Sequence, residues 1–325
     1  MTNLVQQTAA ALGKKKDADY YQTLYERTLK SFQAEYFTSR GRIVSETQTG
    51  CVLALYFHLA KEKDRSSILK ALSANIENHK NHLTTGFVGT PYLCHALSEN
   101  GAHDIASMLF MKEDYPSWLY AVNMGATTVW EKWNGIYPDG SMPHPGLNSM
   151  NHYANGSIGD WIYRKIAGIN QLEPGYHRFY VKPMFVRGME EAEASLETPY
   201  GKIRSYWSCK NYQIQIKVTV PANTTAILYL PEKNEPIEVG SGEYCYEYET
   251  KTSLKALKFS MDSTLGDILK EPLGFEMMKQ MVPELINNPM IEYAKKMTLA
   301  EGISTSPEIR PVYEAVINAL NKQDC

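Results

Sequence analysis

The spacing of apolar positions changes character twice along these 325 residues. Up to about residue 170 the chain reads as one helix after another. In "DYYQTLYERTLKSFQAEYF" the side chains of Tyr21, Leu24, Tyr25, Leu29, Phe32 and Tyr36 recur at intervals of three and four, the stripe of an amphipathic helix. "TQTGCVLALYFHLAK" is apolar nearly all round, as a helix packed on several sides must be. "SSILKALSANIENHK" returns to one apolar face, carried by Ile68, Leu69, Leu72 and Ile76. "TPYLCHALSENG" opens on Pro91 and stops at Gly101, the usual asymmetry of helix ends. "AHDIASMLFMKED", "YPSWLYAVNMG" and "NHYANGSIGDWIYRKIAGI" bring the count to about eight, buried helices alternating with amphipathic ones, the pattern of an array of helical hairpins.

Between Trp133 and Met150 this pattern breaks. "NGIYPDGSMPHPGLNSM" holds three prolines and three glycines in 17 residues and predicts a long loop, a feature often tied to function. After Pro174 the period shortens to that of strands. "HRFYVKP", "KIRSYWSCK", "YQIQIKVTVP", "TTAILYLP" and "EYCYEYET" are short β-branched or aromatic runs bounded by Gly, Pro and Asn, which predicts an antiparallel sandwich from about 175 to 260. From Ser263 the chain is helical again, with proline breaks. No repeat of 20–50 residues and no low-complexity segment stands out.

Composition narrows the function classes. A hydrophobic content of 43% with 21% charged residues is ordinary for a globular chain, and a net charge of −3 argues against electrostatic binding of nucleic acid. No apolar run approaches the roughly 20 residues needed to cross a bilayer. The N-terminal stretch has neither a basic region nor an apolar core, so no secretory signal is read there. Cys51, Cys94, Cys209, Cys245 and Cys325 are scattered without metal-ligand spacing and read as reduced thiols of a cytoplasmic protein.

The candidate chemistry lies around "GATTVWEKWNG". A carboxylate beside bulky aromatics is partly desolvated, and Glu131 facing a cleft suits a general base; the alternative is a surface acid between two half-buried tryptophans. Trp130 and Trp133, three apart, would share a face if the segment were helical, as a sugar-stacking wall or as core. Asn151 and His152 offer polar groups where the long loop meets the next helix, for a ligand or, in the case of His152, for capping that helix. "TTGFVGTPYLCHAL" lacks the spacing of a phosphate cradle and follows no strand. "NHKNH" supplies too few ligands for a metal. The sequons at Asn155 and Asn223 carry no weight in a chain without a secretion signal. No cofactor and no metal are called for.

"TGFVGTPYLCHALSENG", "YPSWLYAVNMGATTVWEKWNG" and "NHYANGSIGDWIYRKIAGI", in this order and spacing, closely resemble bacterial α-L-rhamnosidases of glycoside hydrolase family 78. "HRFYVKPMF", "TPYGKIRSYW" and "VPANTTAILYLP" resemble the small β-sandwich that follows the catalytic barrel in that family. The resemblance implies an α+β multidomain chain. Its parts would be the second part of an (α/α)6 barrel at 1–172, a C-terminal antiparallel β-sandwich at 173–261 and a helical extension at 262–325. It implies an inverting hydrolase of terminal α-L-rhamnosides with Glu131 as general base. His152, Trp130, Trp133, Trp118 and Asn151 would belong to the sugar site. "SETQTGC" resembles the block at an inner-helix start, which places Glu46, Gln48 and Thr49 near the cleft. The expected partner is a rhamnose-containing glycoside, with neither nucleic acid nor membrane.

Inverting hydrolysis needs two carboxyl groups about 6.5–9.5 Å apart, with the attacking water between them. The acid of the family lies upstream, after a "GDW" block near the start of the barrel; the "SIGDW" of 157–161 belongs to the later block. The chain is therefore expected to be a fragment, with an apolar seam where missing helices pack and with poor turnover alone. Its missing N-terminal part is then a further partner. A different six-hairpin glycosidase and a non-catalytic carbohydrate-binding remnant remain as alternatives.

Overall fold

The computed structural model describes residues 1–143, 148–255 and 259–323, so the middle of the predicted long loop (144–147) and Cys325 lie outside the described residues. The chain divides into two compact units. One comprises Met1–Met184, Glu193–Ser205 and Val218–Glu243; the other comprises Phe185–Ala192, Tyr206–Lys217 and Tyr244–Cys325.

The first unit begins with helical hairpins. Helix α1 (Thr2–Ala11) packs on α2 (Lys15–Tyr36), α3 (Gln48–Tyr56) on α4 (Arg65–Asn78), and α5 (Thr90–Glu99) on α6 (His103–Phe110). The burial follows the sequence pattern. Helix α3 buries Gln48, Cys51, Val52, Ala54 and Leu55, and α5 buries seven consecutive-face residues including Leu93, His95 and Leu97. These two pack against each other as the inner pair. Their partners bury one face each: Ile68, Leu72 and Ile76 of α4, and Ala106, Ser107 and Leu109 of α6. Each fully buried Leu or Ile contributes about 1.5–3 kcal/mol of transfer free energy, so the inner pair carries the core. Helix α2 is different: Ala18 is its one buried residue, and Tyr20 and Tyr36 are exposed.

The short helices α7 (Trp118–Asn123), α8 (Tyr153–Gly156) and α9 (Ile158–Trp161) complete this part, α9 running on into a π-turn at Ile162–Ile166. The "SIGDW" block docks α9 onto α5. Trp161 Nε1 donates to Ser98 Oγ at 3.0 Å, Asp160 Oδ2 lies 2.9 Å from His95 Nε2, and Lys165 Nζ lies 2.8 Å from Glu99. Its acid is thus spent on a helix-helix contact.

Eight strands follow: β1 (Ile169–Gln171), β2 (Arg178–Val181), β3 (Glu191–Thr198), β4 (Gly201–Lys210), β5 (Gln213–Val220), β6 (Thr225–Leu228), β7 (Ile237–Val239) and β8 (Gly242–Glu249). They form two four-stranded sheets, ordered β1-β2-β6-β7 and β3-β4-β5-β8. Alternation sets the buried faces, with Ile203, Ser205, Trp207 and Cys209 inward on β4 and Ile214, Ile216, Val218 and Val220 on β5. The expected antiparallel pairing fails where β2 meets β6: the two are parallel, with Phe179 opposite Ala226. The chain leaves β2 for three strands of the other sheet and re-enters in the same direction, which a parallel neighbour requires.

Beyond the strands the second unit is helical, with α10 (Leu265–Lys270), α11 (Pro272–Met281), α12 (Pro283–Ile286), α13 (Ile291–Ala294), α14 (Leu299–Thr305) and α15 (Arg310–Gln323). Prolines open α11 and α12, as the missing N–H dictates. The unit has its own core of Phe259, Leu265, Ile268, Met278, Leu299, Ile303, Tyr313, Val316, Ile317 and Leu320. One device occurs twice. Thr264 caps α10 through Asp267 N–H, Thr298 caps α14 in a full capping box with Glu301, and the two threonines bridge each other across antiparallel backbone.

Among the described residues, no helix is long and apolar enough to cross a membrane, and no group of three or more His, Cys, Asp or Glu is placed to hold a metal ion. None of the four described cysteines is in a disulfide; Cys51, Cys94 and Cys209 are buried and Cys245 is exposed. Burial pushes the Cys94 thiol up to about 12; burial, then the charge of Glu46, pushes Cys51 to about 11. Alkylation proceeds through the thiolate. Iodoacetamide at pH 8 should therefore label Cys245 in the folded chain and reach Cys51 and Cys94 only after unfolding, as peptide mass mapping would read.

Candidate active site

Helix α7 ends in a way that explains the first glycine of "GATTVWEKWNG". Gly125 N–H donates to Val122 O at 2.9 Å and Ala126 N–H to Ala121 O at 3.0 Å, a Schellman closure with Gly125 at φ +81°. The chain then leaves the helix and runs without regular structure through Glu131. Trp130 and Trp133 therefore do not share a helix face, and the helical spacing expected for them is corrected here.

What holds this irregular segment is a second one, 149–152, laid against it. Glu131 N–H donates to Ser149 O at 2.9 Å, and Ser149 N–H returns a 2.9 Å bond to Glu131 Oε2. His152 N–H donates to Val129 O at 2.7 Å, and the Thr128 hydroxyl donates to Met150 O. Behind the pair sits Asn155, 3% exposed. Its Nδ2 donates to the carbonyls of Trp130 and Glu131, both at 3.1 Å, while its backbone carbonyl accepts Trp118 Nε1–H at 2.9 Å. Glu131 is left half-buried, with Oε2 held by Ser149 and no hydrogen bond to Oε1 from the described residues.

His152 caps α8: its Nδ1 accepts Ala154 N–H at 3.3 Å. In the neutral ring this puts the proton on Nε2. The imidazole lies nearly parallel to Phe87, 4.6 Å between ring centres at 17°, and to Tyr153, 5.6 Å at 6°. Phe87 comes from the turn before α5, and α3 fixes that turn. Gln48 Nε2 donates to His82 O at 3.0 Å and Gln48 Oε1 accepts Thr84 N–H at 2.8 Å. A Cβ on Gly89 would sit 2.7 Å from Thr49 Oγ1, so the turn packs directly on α3 and needs glycine there. The starts of α3, α5 and α8 thus meet the Glu131 segment at one place.

The expected site residues sort by this geometry. Glu131, His152 and Asn151 come together, with Asn151 exposed and its side-chain amide unpaired among the described residues, while Thr49 packs against the turn at Gly89. Gln48 is 1% exposed and has both ends of its amide engaged, so it holds the turn and is not offered to a ligand. Glu46 faces outward in a 2.7 Å pair with Arg42. The tryptophans do not wall the carboxylate. Trp130 is buried beneath Gly135, where a Cβ would lie 2.8 Å from the indole; Trp118 is buried and packs edge-on against Trp133 at 5.2 Å. With Val122 and Val129 the three indoles line an apolar cavity of about 390 Å³ whose walls include neither Glu131 nor His152. Asn155 and Phe87 belong to the site and were not expected from sequence. Asn155 stands out there only as a sequon, and Phe87 only as part of a turn.

Three helical hairpins followed by an antiparallel-rich sandwich fit part of a six-hairpin glycosidase domain with its C-terminal β-domain. Residues 1–166 match the bacterial α-L-rhamnosidase 6 hairpin glycosidase domain and residues 168–244 the bacterial α-L-rhamnosidase C-terminal domain. The chain belongs to the bacterial α-L-rhamnosidase family. It is 40% identical over 233 residues to an α-L-rhamnosidase of Formosa agariphila, covering 71% of this chain and 25% of that protein. It is 37% identical to one of Streptomyces avermitilis, over 70% of this chain and 22% of that protein. Among solved structures it resembles the Streptomyces avermitilis α-L-rhamnosidase complexed with L-rhamnose, with a TM-score of 0.73 and 34% identity over 76% of this chain and 26% of that one. The chain spans about a quarter of the length of the relatives it matches.

The clamp makes a direct prediction. Asn155→Ala leaves two buried carbonyls without a donor and should lower unfolding stability by about 1–3 kcal/mol. Urea titrations of the two proteins side by side measure it; equal midpoints would contradict the clamp.

Proposed function

We propose that this chain carries the general-base half of an inverting α-L-rhamnosidase. The observation that supports it is the pairing of 128–131 with 149–152, which leaves Glu131 with one oxygen anchored by Ser149 and the other unengaged. An anchored carboxylate with a free oxygen suits the work of a base: Oε1 accepts a proton from water as the water oxygen bonds to the anomeric carbon. The bond from that carbon to the leaving oxygen breaks on the opposite face, and the leaving oxygen takes a proton from a carboxylic acid. That acid belongs to a part of the enzyme outside this chain. His152, through Nε2–H, and Asn151, through its exposed amide, bind sugar hydroxyls. Gln48 and Thr49 support the turn behind His152. Trp118, Trp130 and Trp133 serve the site as packing, and the apolar cavity they line receives barrel elements supplied by the upstream part. The substrate class is a glycoside with terminal α-L-rhamnose, and free thiols suit a cytoplasmic setting.

The test compares this chain alone with the chain joined to the upstream barrel segment of a relative. Alone it should bind L-rhamnose in a calorimeter and leave an aryl α-L-rhamnoside uncut. Joined, it should release rhamnose of inverted anomeric configuration, seen by proton NMR, and Glu131→Gln should cut the rate by about 10²–10⁴ with affinity retained. Rapid turnover by the chain alone, retention of configuration, or an unaffected Glu131→Gln enzyme would each overturn the proposal. Rhamnose binding with no turnover in the joined protein would favour a carbohydrate-binding role.

A further inference from the structure

His152 is poorly fixed by its own bonds. Its one ring hydrogen bond among the described residues, accepted by Nδ1 from Ala154 N–H, is long at 3.3 Å, and the torsion between imidazole and Cβ is broad and soft. The direction of Nε2–H depends on that torsion. What narrows it is stacking, on Tyr153 at 5.6 Å and, more closely, on the parallel ring of Phe87 at 4.6 Å.

Phe87 is itself held firmly although its side chain is 46% exposed. The turn beneath it is closed by Gly89 N–H and Thr90 N–H, both donating to Gly86 O, at 3.0 and 2.9 Å. Thr90 Oγ1 donates to Thr85 O at 3.1 Å, and Gln48 and Thr49 pin the turn to α3. An exposed phenyl on a rigid stem, stacked on an imidazole, adds nothing to the core. Its one ring contact among the described residues is with that imidazole.

We propose that Phe87 is a positioning residue for His152, fixing the imidazole plane so that Nε2–H points at a sugar hydroxyl. The sugar part of this rests on the reading of His152 given above; the stacking part does not. Aromatic stacking of this geometry supports an effect of about two- to tenfold on an equilibrium that needs the ring aligned.

The experiment uses the intact chain with Phe87→Leu, which keeps bulk without a ring, and Phe87→Tyr, which keeps the ring. Because the side chain is half exposed, both variants should fold, which circular dichroism checks. In carbon-edited NMR of the histidine rings, with His152→Asn for assignment, the His152 ring protons should move downfield in Phe87→Leu, as the phenyl ring current is lost. They should stay nearly in place in Phe87→Tyr. By calorimetry L-rhamnose should bind about two- to tenfold more weakly to Phe87→Leu and unchanged to Phe87→Tyr, and the effect should vanish in the His152→Asn background. Unmoved His152 resonances in Phe87→Leu would overturn the proposal. An equal loss of affinity with and without His152 would also overturn it, making Phe87 a direct sugar contact. If no variant, nor the parent chain, bound L-rhamnose, the sugar-site reading would fall while the NMR arm still decided the stack.

Discussion

The pairing of two irregular segments is the constraint on which the site depends. Neither 128–131 nor 149–152 has a helix or strand to hold it, yet each supplies the other's hydrogen bonds: Glu131 to Ser149 in both directions, His152 to Val129, Thr128 to Met150. Irregular backbone is stable in a partly buried place only when its polar groups are matched. Asn155 completes the match from the buried side, using one amide nitrogen for two carbonyls. The consequence is chemical. Two side chains far apart in sequence are brought to one place, and the carboxylate keeps one oxygen free.

This arrangement also explains the company that Glu131 keeps. Its flanking indoles do not form a dry wall for the carboxylate. Trp130 turns inward under Gly135, and Trp133 meets Trp118 on the side of the apolar cavity. The tryptophans anchor the segment, and the acid between them points elsewhere. A segment with alternate anchors and one outward carboxylate holds its place without regular structure, as the proposed role of Glu131 requires.

Much of the fold was legible because periodicity reports burial. The all-round apolar run of α3 and the single face of α4 are both reproduced, as is the helical tail interrupted at its prolines, which prove to open α11 and α12. The strands with full inward alternation were legible too. β3 was not, since "EAEASLET" carries no aromatic and a single β-branched residue, unlike the equally half-buried but tyrosine-rich β8, and β1 and β7 are only three residues long. Around Glu131, sequence spacing pointed to the wrong local geometry. Spacing of three suggests a helix face for Trp130 and Trp133, but the Schellman closure at Gly125 ends the helix first. Asn155 and Phe87 leave no periodic trace, because their roles come from partners distant in sequence. Gln48 lies in the expected place but works on backbone.

The central claim is that the turn before α5, the Glu131 segment and the start of α8 form one sugar site. The most direct measurement is an amide NMR map of this chain titrated with L-rhamnose. The account predicts shifts concentrated together in residues 84–89, 128–131 and 149–153. Shifts confined to the tryptophan-lined cavity or to the β-sheets, with those three segments unmoved, would contradict it.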